Sequence, residues 1–187
     1  NFISVPTDCP QRDERMGYTG DGQVFWRTGT YNYDIAAFTH KWMNDIKDEQ
    51  TIDGGFTNTA PAVPKNNRKN GSPGWEDAGV VVPWGSWMQY GDKSVIYENW
   101  PAMVRYMDYV AAMSKNYIRP GGYLGDWLAP DPTTQNNLIS TGLWAMTANM
   151  MSQMATAIGK EDDAKKYSEL REKIKAAFQK EFIAPDG

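Results

Sequence analysis

The sequence predicts an all-α chain of about three αα-hairpins that together form part of a helical ring. Segments almost free of charge alternate with charged segments that carry an apolar stripe, and the pair recurs roughly every 55 to 60 residues. A helix without charge is typical of a protein interior, whereas a striped helix has one face in water. We therefore expect three inner helices and three outer helices.

The first predicted inner helix spans residues 23–33, in which Arg27 is the only charge. Its outer partner spans residues 34–49 and repeats apolar side chains at the helical period. This stripe comprises Ile35, Phe38, Trp42 and Ile46.

The second pair consists of residues 78–91, which carry no charge, and residues 94–115. The apolar stripe of the second segment comprises Trp100, Met103, Val104, Met107, Val110 and Ala111. Pro83 and Pro101 lie inside these segments, and we expect them to bend the helices or to shift their ends.

The third pair is the clearest, because residues 138–159 carry no charge and about half of residues 161–182 are charged. The outer stripe comprises Tyr167, Leu170, Ile174 and Phe178. Trp84, Trp87, Trp100 and Trp144 fall within the helical segments and are predicted to pack in the core.

Composition excludes several classes of protein. The chain has 187 residues with 41% hydrophobic residues and a net charge of −4, which disfavours disorder and a basic nucleic-acid surface. No uninterrupted run of 18 apolar residues occurs, so we predict no membrane span. His40 is a lone histidine with no second His or Cys cluster, so we expect no metal and no cofactor. Cys9 has no nearby His and is not a convincing nucleophile.

Long loops precede the inner helices, at residues 7–22, 54–77 and 120–137, and each combines acids and aromatic residues with Gly and Pro. Successive inner helices of αα-hairpins run parallel, so these loops should meet at one rim of the ring. We expect the functional site at this rim.

The first loop is unusually dense in charge, with four acids and two arginines in residues 8–21. One interpretation is structural: Asp21 caps the following helix, and the arginines pair with acids. The other is catalytic, because glycoside hydrolysis needs a carboxylic acid to protonate the leaving oxygen and a carboxylate to activate water or attack carbon. Glu14 is a plausible acid for this chemistry.

The stretch TDCPQRDERMGYTGD, residues 7–21, closely resembles the signature of the bacterial α-L-rhamnosidases, glycoside hydrolase family seventy-eight. The resemblance implies a catalytic domain of six hairpins, an (α/α)6 barrel, of which residues 1–187 would form roughly the first half. Residues 1–22 would then be the signature loop, and residues 23–187 three hairpins.

The resemblance also implies roles for single residues. Glu14 matches the general acid of the family, and the acids at Asp8 and Asp21 resemble those that hold rhamnose hydroxyls. Arg12 and Asp13 match the pattern as well. The family usually has Trp where this chain has Tyr18, which keeps an aromatic wall but changes its area and adds a hydroxyl.

Two later loops resemble those that complete the sugar pocket. They contribute Trp75 and Asp77 in Gly-Trp-Glu-Asp, and Asp126 and Trp127 in Gly-Asp-Trp. The family inverts configuration with a base from a later segment, and no stretch here matches that segment. We therefore expect this chain to carry the acid without the base, and to be inactive without the remaining hairpins.

The expected partners are a rhamnose-containing glycoside or polysaccharide and the rest of the catalytic domain, with no nucleic acid and no membrane. Asn1 is not an initiator Met and the chain ends in a turn-like Pro-Asp-Gly, so we expect a fragment whose compartment is not predicted. An isolated half-ring should expose inner surface and self-associate. We expect that surface at Leu143, Met146, Met150 and Met154.

Two other functions are compatible with the sequence. Six-hairpin folds host many glycosidases, so the substrate could be a different sugar. The missing base is also compatible with a non-catalytic carbohydrate-binding fragment.

Overall fold

A computed structural model describes residues 5–6, 16–62, 70–131 and 133–184. The described residues form six α-helices and no strand longer than an isolated bridge. The helices are α1 (Thr19–Asn32), α2 (Ala36–Asp48), α3 (Ala78–Tyr90), α4 (Ser94–Met113), α5 (Asn136–Ala157) and α6 (Glu161–Phe182). Each predicted helix is therefore present, and the all-α prediction is confirmed.

The helices form two layers. α3 packs against α1 on one side and α5 on the other, while α2 and α4 contact each other outside it. α5 and α6 form the most extensive helix pair. This arrangement confirms that the uncharged helices are neighbours in an inner layer.

Contacts at both ends of the inner helices establish that they run in the same direction. At the amino-terminal end, Gly20 of α1 lies against Trp75, three residues before α3. At the opposite end, the Ile35 N–H that follows α1 donates to the hydroxyl of Tyr90, the last residue of α3. Farther along, Trp84 of α3 donates to Gln153 of α5.

An aromatic stack joins α1 to α2. The rings of Trp26 and Trp42 lie 4.9 Å apart and nearly parallel, and both side chains are buried. Trp42 also donates from Nε1 to the Ala60 carbonyl at 3.0 Å, which satisfies its polar atom in the interior. Gly22 permits the close approach, because a Cβ there would lie 2.4 Å from the Trp42 ring.

The outer stripes mostly face the core, as predicted. Ile35, Trp42, Ile46, Tyr167 and Ile174 are fully buried. Ala111 is an exception: it is exposed in the last turns of α4, so its placement in the stripe is wrong.

The four helical tryptophans lie in the core or against it, as predicted. Trp100 and Trp144 are buried, and Trp84 and Trp87 pack against the core.

α1 begins earlier than predicted, at Thr19 rather than at residue 23. The Thr19 N–H donates to the Asn58 carbonyl and its hydroxyl to the Thr57 carbonyl, so the start is fixed by a distant loop. Asp21 consequently lies in the first turn, and the interpretation of Asp21 as the N-cap is wrong. The two glycines in this turn have low helix propensity, which hid it from the sequence pattern.

The two prolines do not end their helices. α3 continues through Pro83, and α4 continues through Pro101. Within the described part of the chain, no helix has both the length and the apolar character needed to span a bilayer.

Part of the expected uncovered surface is buried. Met150 and Met154 lie in the core, which contradicts their predicted exposure, whereas Met146 is 37% exposed. Larger exposed apolar surface occurs on α1, where Val24 is 79% exposed. The free edges of this inner layer are therefore α1 and the first half of α5.

Candidate functional site

The loops before the inner helices meet at one end of the molecule. The Ala60 N–H donates to the Gly17 carbonyl at 3.0 Å, which joins the end of the first loop to the second. The Leu124 N–H donates to the Ser72 hydroxyl at 3.2 Å, which joins the second to the third. For the described residues, the predicted rim is therefore confirmed.

Asn58 connects three parts of this rim. Its carbonyl accepts from the Thr19 N–H of α1, and its side-chain oxygen accepts from the Ser72 N–H at 2.7 Å. Its side-chain nitrogen donates to the hydroxyl of Tyr123, which is highly exposed in the third loop. Asn58 thus links α1 through its main-chain carbonyl, and the turn before α3 and the loop before α5 through its side-chain amide.

The Trp75 side chain packs against the first turn of α1. A Cβ at Gly20 would lie 2.8 Å from three atoms of the Trp75 indole, so the ring lies flat on the helix backbone. Gln23 of α1 donates to the Gly74 carbonyl beside it. The indole is half-buried, and its position is set by packing before any ligand binds.

Asp77 lies directly beneath this turn and is fully buried. Its Oδ2 accepts from the Gly74 N–H at 2.7 Å, and its Oδ1 accepts from the Tyr106 hydroxyl at 2.8 Å and from Arg119 at 3.0 Å. Both oxygens therefore have protein partners. In this arrangement Asp77 holds the turn that carries Trp75, and it offers no exposed oxygen to a sugar.

Arg119 is the centre of a buried charge cluster that also contains Glu76, Asp77 and Tyr106. Its Nη2 donates to Glu76 Oε1 at 2.6 Å and to the Tyr106 hydroxyl at 2.8 Å. Its backbone is tied to α5, because the N–H donates to Thr141 and the carbonyl accepts from Ser140. The cluster therefore joins the start of α3, the middle of α4 and the start of α5.

Burial changes the acidity of these groups. It raises the pKa of Glu76 to about 8, although the charge of Arg119 opposes the rise. Burial alone would lower the pKa of Arg119, but the charge of Asp77 outweighs it and the pKa is raised. Arg119 is therefore always a cation, and Glu76 carries a proton at neutral pH.

The third loop presents Trp127 to solvent, with 58% of its surface exposed. The Asp126 side chain accepts a hydrogen bond from the Thr134 hydroxyl at 3.0 Å. Its main-chain carbonyl accepts from the Ala129 N–H within the same turn. Leu128 beside it has φ +58°, a conformation that costs a non-glycine residue energy. The turn around Asp126 thus leaves Trp127 exposed at the rim.

Tyr18 and Asp21 lie where the first loop enters α1. Tyr18 forms an antiparallel bridge with Thr59 and is half-buried. Asp21 is exposed in the first turn of α1, where the helix dipole favours a negative charge. Asp8, Arg12, Asp13 and Glu14 lie outside the described residues.

Within the described ranges, no group of three or more His, Cys, Asp or Glu side chains is placed to hold a metal ion. His40 instead lies on the outer surface, with Nδ1 2.8 Å from Glu98 and Nε2 3.3 Å from Asp92.

Sequence reasoning missed Arg119, Tyr106 and Asn58. Tyr106 and Asn58 give no distinctive signal, since tyrosine and asparagine are common in helices and loops. Arg119 did give one, because it is an isolated charge between Ile118 and the Pro-Gly-Gly that opens the third loop. A lone arginine beside such a loop is a candidate partner for a buried carboxylate.

Comparison with known proteins gives a match over the whole chain. The model of the bacterial alpha-L-rhamnosidase 6 hairpin glycosidase domain matches residues 1–187. An alpha-L-rhamnosidase of Streptomyces avermitilis is 44% identical over 187 residues, which are 100% of this chain and 18% of that protein. An alpha-L-rhamnosidase of Formosa agariphila is 35% identical over 190 residues, covering 98% of this chain and 20% of that protein.

Solved structures give the same result. The crystal structure of the Streptomyces avermitilis alpha-L-rhamnosidase complexed with L-rhamnose matches with a TM-score of 0.93 and 44% identity, covering 100% of this chain and 18% of that one. The alpha-L-rhamnosidase from Dictyoglumus thermophilum matches with a TM-score of 0.90 and 36% identity, covering 98% and 21%. The chain thus spans about a fifth of the length of the relatives it matches.

Proposed function

The chain belongs to the six-hairpin glycosidase domain family of the bacterial α-L-rhamnosidases, and from this membership we propose that it forms part of an enzyme that removes terminal α-L-rhamnose from glycosides or polysaccharides. The observation that carries the proposal is the family match over residues 1–187. Because the chain spans about a fifth of its relatives, we infer that it acts within a longer polypeptide.

The rim supports the binding of a sugar. A pyranose ring has an apolar face that stacks on flat aromatic side chains and hydroxyls that bind polar groups at its edge. Trp75 is fixed on α1, and Trp127 and Tyr123 are exposed on the neighbouring loop. Asp21 and Asp126 add carboxylates at the same end of the molecule.

We propose Glu14 as the general acid. It precedes Tyr18 by four residues in the signature, and Tyr18 lies at the rim beside Thr59. Asp8, Arg12, Asp13, Tyr18 and Asp21 are proposed to hold the sugar around it. The acid must be protonated to donate to the leaving oxygen, so its surroundings must offset the effect of the neighbouring arginines on its pKa.

The proposed mechanism inverts configuration at the reacting carbon. One carboxylic acid protonates the leaving oxygen, while a carboxylate about 6.5–9.5 Å away activates water on the opposite face of the ring. We propose that this chain supplies the acid and that another segment of the enzyme supplies the base. The free edges at α1 and α5 are compatible with further hairpins on both sides.

The test is hydrolysis of nitrophenyl α-L-rhamnoside by the full-length polypeptide, beside a panel of other nitrophenyl glycosides. The Glu14→Gln variant should lose at least about 100-fold in kcat with folding intact, because general acid catalysis typically contributes 10²–10⁴-fold. Glu181→Gln, on the exposed face of α6, is the matched control and should retain wild-type turnover.

The outcomes separate the alternatives. Turnover of a different glycoside would keep the fold and replace the sugar, an alternative that Tyr18 favours because it changes the aromatic wall of the family. Binding of rhamnose without turnover of any glycoside would replace hydrolysis by a carbohydrate-binding role.

A further inference from the structure

Glu76 uses only one of its two carboxyl oxygens. Oε1 accepts from Arg119 Nη2 at 2.6 Å, while Oε2 is buried and has no hydrogen-bond partner among the described residues. The residue is 3% exposed. It lines a cavity of about 60 Å³ together with Arg119, Gly71, Pro73, Tyr109 and Gly122.

The charges around Glu76 do not balance if it is ionised. Asp77 on the same turn is an anion, Arg119 is the one cation in the cluster, and Asp53 adds a more distant negative charge. Tyr106 and Tyr109 face it from α4, and burial raises the pKa of both hydroxyls, so they remain neutral. One cation among these groups can neutralise only one carboxylate.

Hydrogen bonding decides which carboxyl carries the proton. Asp77 receives three hydrogen bonds, from Gly74, Tyr106 and Arg119, whereas Glu76 receives one. Donors stabilise a carboxylate, so the negative charge belongs on Asp77 and the proton on Glu76. Neutral Glu76 then accepts from Arg119 at Oε1 and carries its O–H at Oε2, the oxygen that no other group contacts by hydrogen bond among the described residues.

We propose that Glu76 is a positioning residue of the sugar pocket, whose neutral side chain joins the turn carrying Trp75, through Arg119, to the segment that leads to Trp127. The expected change in KM rests on the proposed rhamnosidase function, whereas the expected loosening of the turn at residues 73–77 does not. When Glu76 ionises, two adjacent carboxylates share one guanidinium, and their repulsion loosens the turn at residues 73–77. Sugar binding then weakens more than the chemical step.

The experiment compares wild-type full-length polypeptide with Glu76→Gln, and with Glu181→Gln as the exposed control. Gln reproduces neutral Glu, since its oxygen accepts from Arg119 and its amide replaces the O–H donor, but it cannot ionise. KM and kcat for nitrophenyl α-L-rhamnoside are measured from pH 6 to about pH 9.5. We expect the wild-type KM to rise severalfold with a midpoint near pH 8, with a smaller change in kcat.

Glu76→Gln should lack this rise, and Glu181→Gln should retain it. An equal rise in KM in wild type and Glu76→Gln would overturn the proposal. So would a loss confined to kcat, because a residue that positions a binding platform acts first on binding.

A second measurement is independent of turnover and of the folding of Glu76→Gln. Tryptophan emission is titrated with pH in the wild type and in Trp75→Phe, and the difference isolates the Trp75 contribution. This difference in emission should change with pH, with a midpoint near pH 8. A flat difference would overturn the role of Glu76 even if rhamnoside is hydrolysed, and a transition without any glycoside turnover would reject only the proposed function.

Discussion

The indole of Trp75 rests on the backbone of Gly20, so that a Cβ on residue 20 would come within 2.8 Å of three ring atoms. The two residues are 55 positions apart in the sequence and belong to different hairpins. Their contact places an aromatic face at the rim with α1 as its support. The aromatic platform therefore depends on a residue that has no side chain.

Gly20→Ala tests this support. Alanine normally stabilises a helix by about 0.5–1 kcal/mol relative to glycine, but here the added methyl must displace a packed ring. We expect lower thermal stability, shifted tryptophan emission and a raised KM for the rhamnoside. Gly85→Ala is the matched control in α3, because a Cβ there meets no atom within 4 Å, and it should raise stability. A stabilised Gly20→Ala with unchanged KM would contradict the proposal that Gly20 supports the Trp75 indole.

Arg119→Met tests the buried cluster. Removing one partner of a buried ion pair typically costs about 3–5 kcal/mol, because the other charge stays buried and unpaired. We expect a loss of that size in urea unfolding, since Asp77 would lose its guanidinium and Glu76 its one donor. Arg171→Met, which breaks an exposed pair with Glu172, should change stability by less than about 0.5 kcal/mol. Similar losses in both variants would refute the role given to Arg119.

Trp127 and Trp144 should separate binding from stability. Trp127 is 58% exposed, so Trp127→Ala should leave the unfolding free energy nearly unchanged while weakening rhamnose binding. Trp144 is buried in α5, and Trp144→Ala should cost about 3–5 kcal/mol. Calorimetric titration with L-rhamnose and chemical unfolding measure the two effects. Unchanged rhamnose affinity in Trp127→Ala would exclude this side chain from the sugar site.

His40 should make stability depend on pH on the outer surface. Burial alone would lower its pKa, but the hydrogen bonds and charges of Glu98 and Asp92 raise it above 6.5. Protonated His40 therefore stabilises the folded state fully below pH 6.5, and this contribution is lost as pH rises through the higher folded value. The ring is partly solvated, so we expect less than about 1 kcal/mol.

The measurement for His40 is the difference in unfolding free energy between wild type and His40→Gln across this pH range. The difference should be largest at acidic pH and should vanish at alkaline pH. A difference in unfolding free energy that grows with pH would mean that neutral His40 is the stabilising form, and would contradict the ion pairing of His40 with Glu98 and Asp92.

Glu76 should act on stability in the opposite sense from a paired carboxylate. The pKa of Glu76 is about 8 in the folded protein, against an ordinary value of 4.5 for the glutamate of an unfolded chain. Between these two values the folded protein retains a proton that the unfolded chain releases. Stability should therefore fall between pH 4.5 and pH 8, by up to about 1.4 kcal/mol per pH unit, and stay level above that range. Glu76→Gln should remove this component. Parallel stability profiles for wild type and variant would show that Glu76 does not titrate in this way.

Local sequence pattern was sufficient for the helices, because the information lies within each helix. Absence of charge over residues 138–159 and the stripe at Tyr167, Leu170, Ile174 and Phe178 predicted α5 and α6 within two residues at each end. The start of α1 was not predictable in the same way. Thr19 is held by carbonyls of Thr57 and Asn58, and no neighbouring residue reports that contact.

The candidate site divides along the same line. The sequence by itself determined the layered helices and the rim, since hairpin order places successive loops at one end, and its motif named the family. Only the tertiary structure decided that Asp77 is buried beneath Trp75 and that Arg119 reaches back 43 residues to Glu76. The pairing of Arg119 with Glu76 depends on the packing of the third hairpin against the second, because a buried charge is stable only where another element brings its partner within hydrogen-bond distance.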